Sequence, residues 1–153
     1  DLYRAIAIIN SETWSLGAPP HGRTMQMRQM VKSWSSNIES WLSQSEIPVH
    51  LVRYEDLKAD TPTVFRAALA FTGRQVTAEQ ADRAAARVDF VTLRRQEAAA
   101  GFREWAFLKG SKDSSFFRRG EAYGWHEELT AAQISRIEGQ HGVMMDRLGY
   151  PAA

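Results

Sequence analysis

The stretch Pro48-Val49-His50-Leu51-Val52-Arg53-Tyr54-Glu55-Asp56-Leu57 decides the fold of this chain. Four apolar or aromatic-rich positions, Pro48 to Leu51, read as a short buried strand, Val52 to Leu57 as a polar turn, and Thr61-Pro62 as the opening of a helix. Strand, turn and helix in that order predict an α/β unit rather than an all-helical one. Upstream, Met27, Met30, Val31, Trp34, Ile38, Trp41 and Leu42 fall on one face of a long helix that leads into the strand. Downstream, Val64, Leu69 and Phe71 mark a helix that Gly73 ends. Thr77-Ala78-Glu79-Gln80 and Thr130-Ala131-Ala132-Gln133 are both capping boxes, and the helix opened by the second runs to about Leu148, before Gly149 and Pro151.

A second segment carries chemistry. Phe116-Phe117-Arg118-Arg119-Gly120-Glu121-Ala122-Tyr123-Gly124-Trp125 sets two guanidinium groups beside a glycine. Arginine offers a rigid fork of donors to two oxygens of one anion, and glycine admits backbone angles that expose successive N–H groups. The neighbouring aromatics offer faces on which a base can stack. Two readings stand at this point: a phosphate-binding loop, and a solvated Arg-Arg turn between helices.

Taken together, the Arg53-Tyr54-Glu55-Asp56-Leu57 stretch, the Arg118 loop and Leu129-Thr130-Ala131-Ala132-Gln133 resemble the sulfotransferases that use 3′-phosphoadenosine-5′-phosphosulfate (PAPS). Those enzymes carry Arg-Tyr-Glu-Asp-Leu after a central strand, then Phe-x-Arg-Lys-Gly-x-x-Gly-Asp-Trp, then a terminal helix introduced by Phe-Thr-x-x-Gln. The resemblance covers nearly the whole chain. It implies an α/β, three-layer P-loop NTPase-like fold with a parallel sheet, of which residues 1–153 form the mostly helical C-terminal half of a single sulfotransferase domain.

Position by position, the resemblance puts Arg118, Arg119 and Gly120 where the family grips the 3′-phosphate. Arg119 stands for a lysine and has a different shape. With Trp125 kept in register, the family's second glycine falls on Tyr123 and Gly124 is displaced by one. Phe116 and Phe117 precede the grip, Tyr54 is carried over to the adenine, and Phe90, in Val88-Asp89-Phe90-Val91-Thr92-Leu93, matches the Phe of the family's Thr-Ser-Phe-x-x-Met. For the aromatics, core packing is the competing reading. Asp1 aligns with the Asp of the family's Arg-Asn-Pro-x-Asp, and Ala5 stands where a phosphate-binding Ser is usual. The family's Lys-Ser/Thr-Gly-Thr phosphate loop and catalytic histidine are expected upstream of Asp1, so no catalytic base is assigned here. Phe102, Trp105 and Phe107 either line an acceptor pocket or anchor a loop.

Implied with the family are PAPS as sulfuryl donor and a hydroxyl or amine of a small molecule or carbohydrate as acceptor. Two rival classes are a P-loop kinase-like nucleotide enzyme and a non-catalytic helical module gripping an acidic partner or RNA. A net charge of +1 argues against a dedicated nucleic-acid or polybasic membrane surface. No apolar run reaches the roughly 20 residues that span a bilayer. With no cysteine, nothing ties the chain to an oxidising compartment, and a cytoplasmic setting is expected. His21, His50, His126 and His141 lack metal-ligand spacing, so no metal site is expected. His50 reads as a core residue of the strand. A homo-oligomer is compatible with the sequence.

Overall fold

Residues 2–17, 27–101 and 115–150 are described by the structure, a computed structural model. They are mostly helical and fall into two compact units, residues 1–49 with 125–153, and residues 50–124.

The first unit holds α1 (Leu2–Ile9), β1 (Ser15–Leu16), β2 (Gln29–Met30), α2 (Trp34–Leu42), α7 (Trp125–Glu128) and α8 (Ala131–Arg147). The long helix expected from Met27 onward is shorter than its apolar spacing suggests. Gln29 and Met30 instead pair antiparallel with Leu16 and Ser15, and Lys32 takes a φ of +61° that no helix accommodates. Ser33 then caps α2, its hydroxyl accepting from the Ser36 amide at 3.2 Å. The α8 capping box forms as expected, with Thr130 and Gln133 serving each other's backbone amides. Its far end closes in a Schellman turn, Gly149 N–H donating to Asp146 O and Tyr150 N–H to Met145 O.

What holds α8 to α2 is polar as much as apolar. His141 is 1% exposed and sits between Ser35 Oγ, 2.7 Å from Nδ1, and Asn10 Oδ1, 2.9 Å from Nε2. Trp34 meets the His141 ring edge-on at 5.6 Å and Tyr150 at 6.4 Å. Ile6, Met144 and Ser33 complete the buried set, and Arg147 pairs with Glu39 at the rim. The other expected tryptophan contact is not made: Trp41 is exposed.

The second unit holds α3 (Tyr54–Ala59), α4 (Thr61–Phe71), α5 (Ala78–Arg87) and α6 (Phe90–Ala100), with α4 packed on α3 and on α5. Asp60 caps α4 by accepting from the Thr63 amide, and Pro62 takes its place in the first turn. Gly73 closes it in a second Schellman turn, with Gly73 N–H to Ala70 O and Arg74 N–H to Leu69 O. Thr77 and Gln80 form the expected box on α5, which buries Ala81.

Residues 48–53 are not a strand in this structure. A strand exists through ladder bonds to a neighbour, and among the described residues nothing pairs with this segment. Val49, Leu51 and Val52 are accordingly exposed, and His50, expected in a core, stacks at 5.2 Å on the exposed Phe71. The sheet found among the described residues is the two-stranded β1–β2 ladder.

Candidate functional site

The site is assembled on α6. Asp89 begins it: its carboxylate accepts from the Val91 and Thr92 amides, both at 3.0 Å. The Thr92 side chain foremost, then these amides, hold its pKa below the usual aspartate range. The cap fixes the first residue of the helix, Phe90, against the loop that returns at Ser115. A Cβ placed on Gly120 would lie 2.2 Å from Cδ2 of Phe90, closer than any real contact, and the glycine has a φ of +63°. Both facts require the residue that has no side chain. Phe117 meets Phe90 edge-on at 6.2 Å, and Phe116 meets Phe117 at 5.1 Å.

About two turns along α6 from Phe90, Glu97 turns its carboxylate to the same loop. It accepts from the Ser115 hydroxyl at 2.5 Å, the Phe116 amide at 2.5 Å and the Phe117 amide at 3.1 Å. The Ser115 bond foremost, with the two amides and nearby Arg94, holds the Glu97 carboxyl below its ordinary range. Arg118 N–H then donates to Phe116 O at 3.1 Å, closing a tight turn that leads into the arginine pair.

Both arginines are exposed. Arg119 Nε lies 3.2 Å from Glu121 Oε2, a surface pair of modest strength. Arg118 is engaged by no carboxylate among the described residues, so its fork of donors faces solvent. Across the unit, Lys58 of α3 places Nζ 5.7 Å from the Phe90 ring centroid. Tyr54 sits one turn earlier on the same helix and is 47% exposed.

The structure thus brings together Phe90, Phe116, Phe117, Arg118, Arg119 and Gly120, and sets Tyr54 on the helix that reaches Phe90 through Lys58. Glu97 and Lys58 are the members that sequence reading missed. The signal for Glu97 was its helical spacing from Phe90, which puts both on one face of α6. Tyr123, which stands where the family pattern has its second glycine, takes a φ of +66°. Phe102, Trp105 and Phe107 lie outside the described residues. No cluster of three or more potential metal ligands occurs among the described residues, and no helix of theirs is long and apolar enough to cross a membrane.

The family model of the sulfotransferase domain matches residues 22–148. This chain belongs to that family. It is similar to sulfotransferase 1A1 of Canis lupus familiaris, 25% identical over 118 residues that cover 76% of this chain and 40% of that protein. It is also similar to sulfotransferase 1A1 of Bos taurus, 25% identical over 114 residues that cover 74% of this chain and 39% of the relative. The chain therefore spans about two fifths of the length of these curated relatives. No solved structure matches it.

Proposed function

We propose that residues 1–153 are the C-terminal part of a PAPS-dependent sulfotransferase domain with a three-layer, parallel-sheet P-loop-like fold, and that the Arg118 loop recognises the 3′-phosphate of the nucleotide. The observation that carries this reading is the pairing of an uncommitted guanidinium at Arg118 with a left-handed Gly120 pressed on the Phe90 ring. An anion and an adjacent aromatic heterocycle are what such a corner suits: donors for the phosphate, ring faces for the base. Arg119 adds charge while tied to Glu121, and Tyr54 offers a half-exposed ring on α3.

PAPS supplies the sulfuryl group, which passes in line to a hydroxyl or amine of a small-molecule or carbohydrate acceptor. The residues of this chain bind and orient. By fixing the nucleotide at its 3′ end, Arg118 contributes alignment rather than proton transfer. A base upstream of Asp1 takes the acceptor proton. The share of the relatives' length and the exposed Val49, Leu51 and Val52 support a role as one part of a larger α/β domain, whose strands cover that segment. We place the enzyme in the cytoplasm. Family membership favours sulfuryl over phosphoryl transfer and over the RNA-binding module, so chelating magnesium is expected to leave nucleotide binding intact.

The test is Arg118→Ala in the full-length protein. Removing one charge-assisted contact of this kind costs about 1.5–3 kcal/mol, or roughly ten- to more than a hundredfold in affinity for 3′-phosphoadenosine-5′-phosphate. Unchanged affinity removes the assignment.

A further inference from the structure

We infer that Glu97 is a positioning residue for the nucleotide loop: its carboxylate holds Ser115, Phe116 and Phe117 so that Arg118 and Gly120 meet the 3′-phosphate in a preformed arrangement. The inference rests on the nucleotide reading given above and goes beyond it by naming what sets the loop's shape.

Three donors converge on this one side chain, the Ser115 hydroxyl and the Phe116 and Phe117 amides, from the residues that immediately precede the arginine pair. Two consecutive amides and a hydroxyl facing one carboxylate form the kind of concavity that elsewhere takes a free anion. Here the anion is built in. Ser115 Oγ also lies 3.3 Å from Phe117 O, a longer second approach for the one hydroxyl proton that it gives to Glu97. The turn from Phe116 to Arg118 follows directly.

The same helix grips the loop a second time. Phe90 takes Gly120 and Phe117, while Glu97, about two turns further along α6, takes residues 115 to 117. The stretch between the two grips contains Arg118 and Arg119. A rigid helix measuring out both ends of a short loop leaves the backbone that carries the arginines little freedom to lose when a ligand binds, which is how preorganisation raises affinity. Charge supports the assignment. With its oxygens engaged by these donors, Glu97 does not compete with a phosphate for Arg118, whereas Glu121 does hold Arg119. The lowered Glu97 pKa keeps the clamp ionised at neutral pH.

Glu97→Gln keeps the shape but turns an amide NH2 toward groups that are themselves donors, and Glu97→Ala removes the clamp. Both variants of the full-length protein are to be measured in two ways: calorimetric affinity for 3′-phosphoadenosine-5′-phosphate relative to 5′-AMP, and hydrogen exchange at the Phe116 and Phe117 amides. The expected result is a preference for the 3′-phosphorylated nucleotide reduced about tenfold or more, as for loss of a charge-assisted contact, with 5′-AMP binding unchanged. Amide exchange is expected to rise by about tenfold or more as local opening becomes easier. Glu97→Gln supplies the answer where Glu97→Ala fails to fold.

A preference that survives the loss of the carboxylate overturns the inference even if exchange accelerates, because Glu97 is then a staple of the fold and nothing more. Unchanged exchange overturns it equally, since the loop keeps its shape without the clamp. If the wild-type protein itself shows no 3′-phosphate preference, the nucleotide reading fails and the positioning role fails with it. The exchange rates, which need no nucleotide, then still report whether the carboxylate holds the loop.

Discussion

A methyl group added to Gly120 would lie 2.2 Å from Cδ2 of Phe90 and 2.8 Å from its Cγ. This close approach sets the ring against the backbone of the turn that carries Arg118 and Arg119, and it makes Gly120 the least replaceable residue of the site.

Gly120→Ala is therefore expected to destabilise the protein by about 1–3 kcal/mol, from left-handed strain and displacement of Phe90. Loss of preference for a 3′-phosphorylated nucleotide should accompany it. Urea denaturation and nucleotide titration of the same variant check both effects. A variant of wild-type stability and preference would contradict the close approach.

Tyr123 presents the opposite case. Its φ of +66° costs a bulky side chain about 1–2 kcal/mol, and the residue is 52% exposed, so little burial offsets that cost. Tyr123→Gly relieves the strain while adding roughly 0.5–1 kcal/mol of backbone entropy to the unfolded chain. Stability within about 1 kcal/mol of wild type, or above it, is expected in denaturant unfolding. A large loss would mean that the ring has a packing role.

His141 makes stability depend on pH. Burial lowers its folded pKa below that of an exposed histidine, while a backbone hydrogen bond to Ile9 and then the charge of Glu12 pull the other way. The neutral ring is satisfied by donating from Nε2 to Asn10 Oδ1 and accepting at Nδ1 from the Ser35 hydroxyl. The unfolded chain takes up the proton more readily, so stability rises with pH in this range. The contribution is fully present above the unfolded value of about 6.5 and is lost as pH falls through the lower folded pKa. Denaturation midpoints between pH 5 and 8 should show this fall on the acid side, and it should be absent in His141→Gln. That variant is also expected to be less stable at neutral pH by about 1–3 kcal/mol, because a fully buried ring and its two part-buried hydrogen bonds are lost.

How much of this was legible depends on how local the cause is. The capping boxes at Thr77 and Thr130, the stops at Gly73 and Gly149 and the loop at Phe116 to Gly120 are written in neighbouring residues, and the structure forms each of them. The helix expected from Met27 fails at Ser33, because a cap hydroxyl and a left-handed Lys32 outweigh apolar spacing. Pro48 to Leu51 has strand composition, yet a strand also needs a neighbour, which composition does not report. The Ser35–His141–Asn10 network joins residues more than a hundred positions apart, and no short motif announces it. Glu97 lies between these cases, in step with Phe90 along one helix, but its partners arrive only when the chain returns at Ser115.

The central claim is that the loop at Arg118 recognises a 3′-phosphate. Calorimetric titration of the full-length protein with 3′-phosphoadenosine-5′-phosphate, against 5′-AMP as the control, tests it most directly. Tighter binding of the 3′-phosphorylated nucleotide by about tenfold or more is predicted from one charge-assisted contact. Equal affinity for the two nucleotides, or no binding of either, would contradict it.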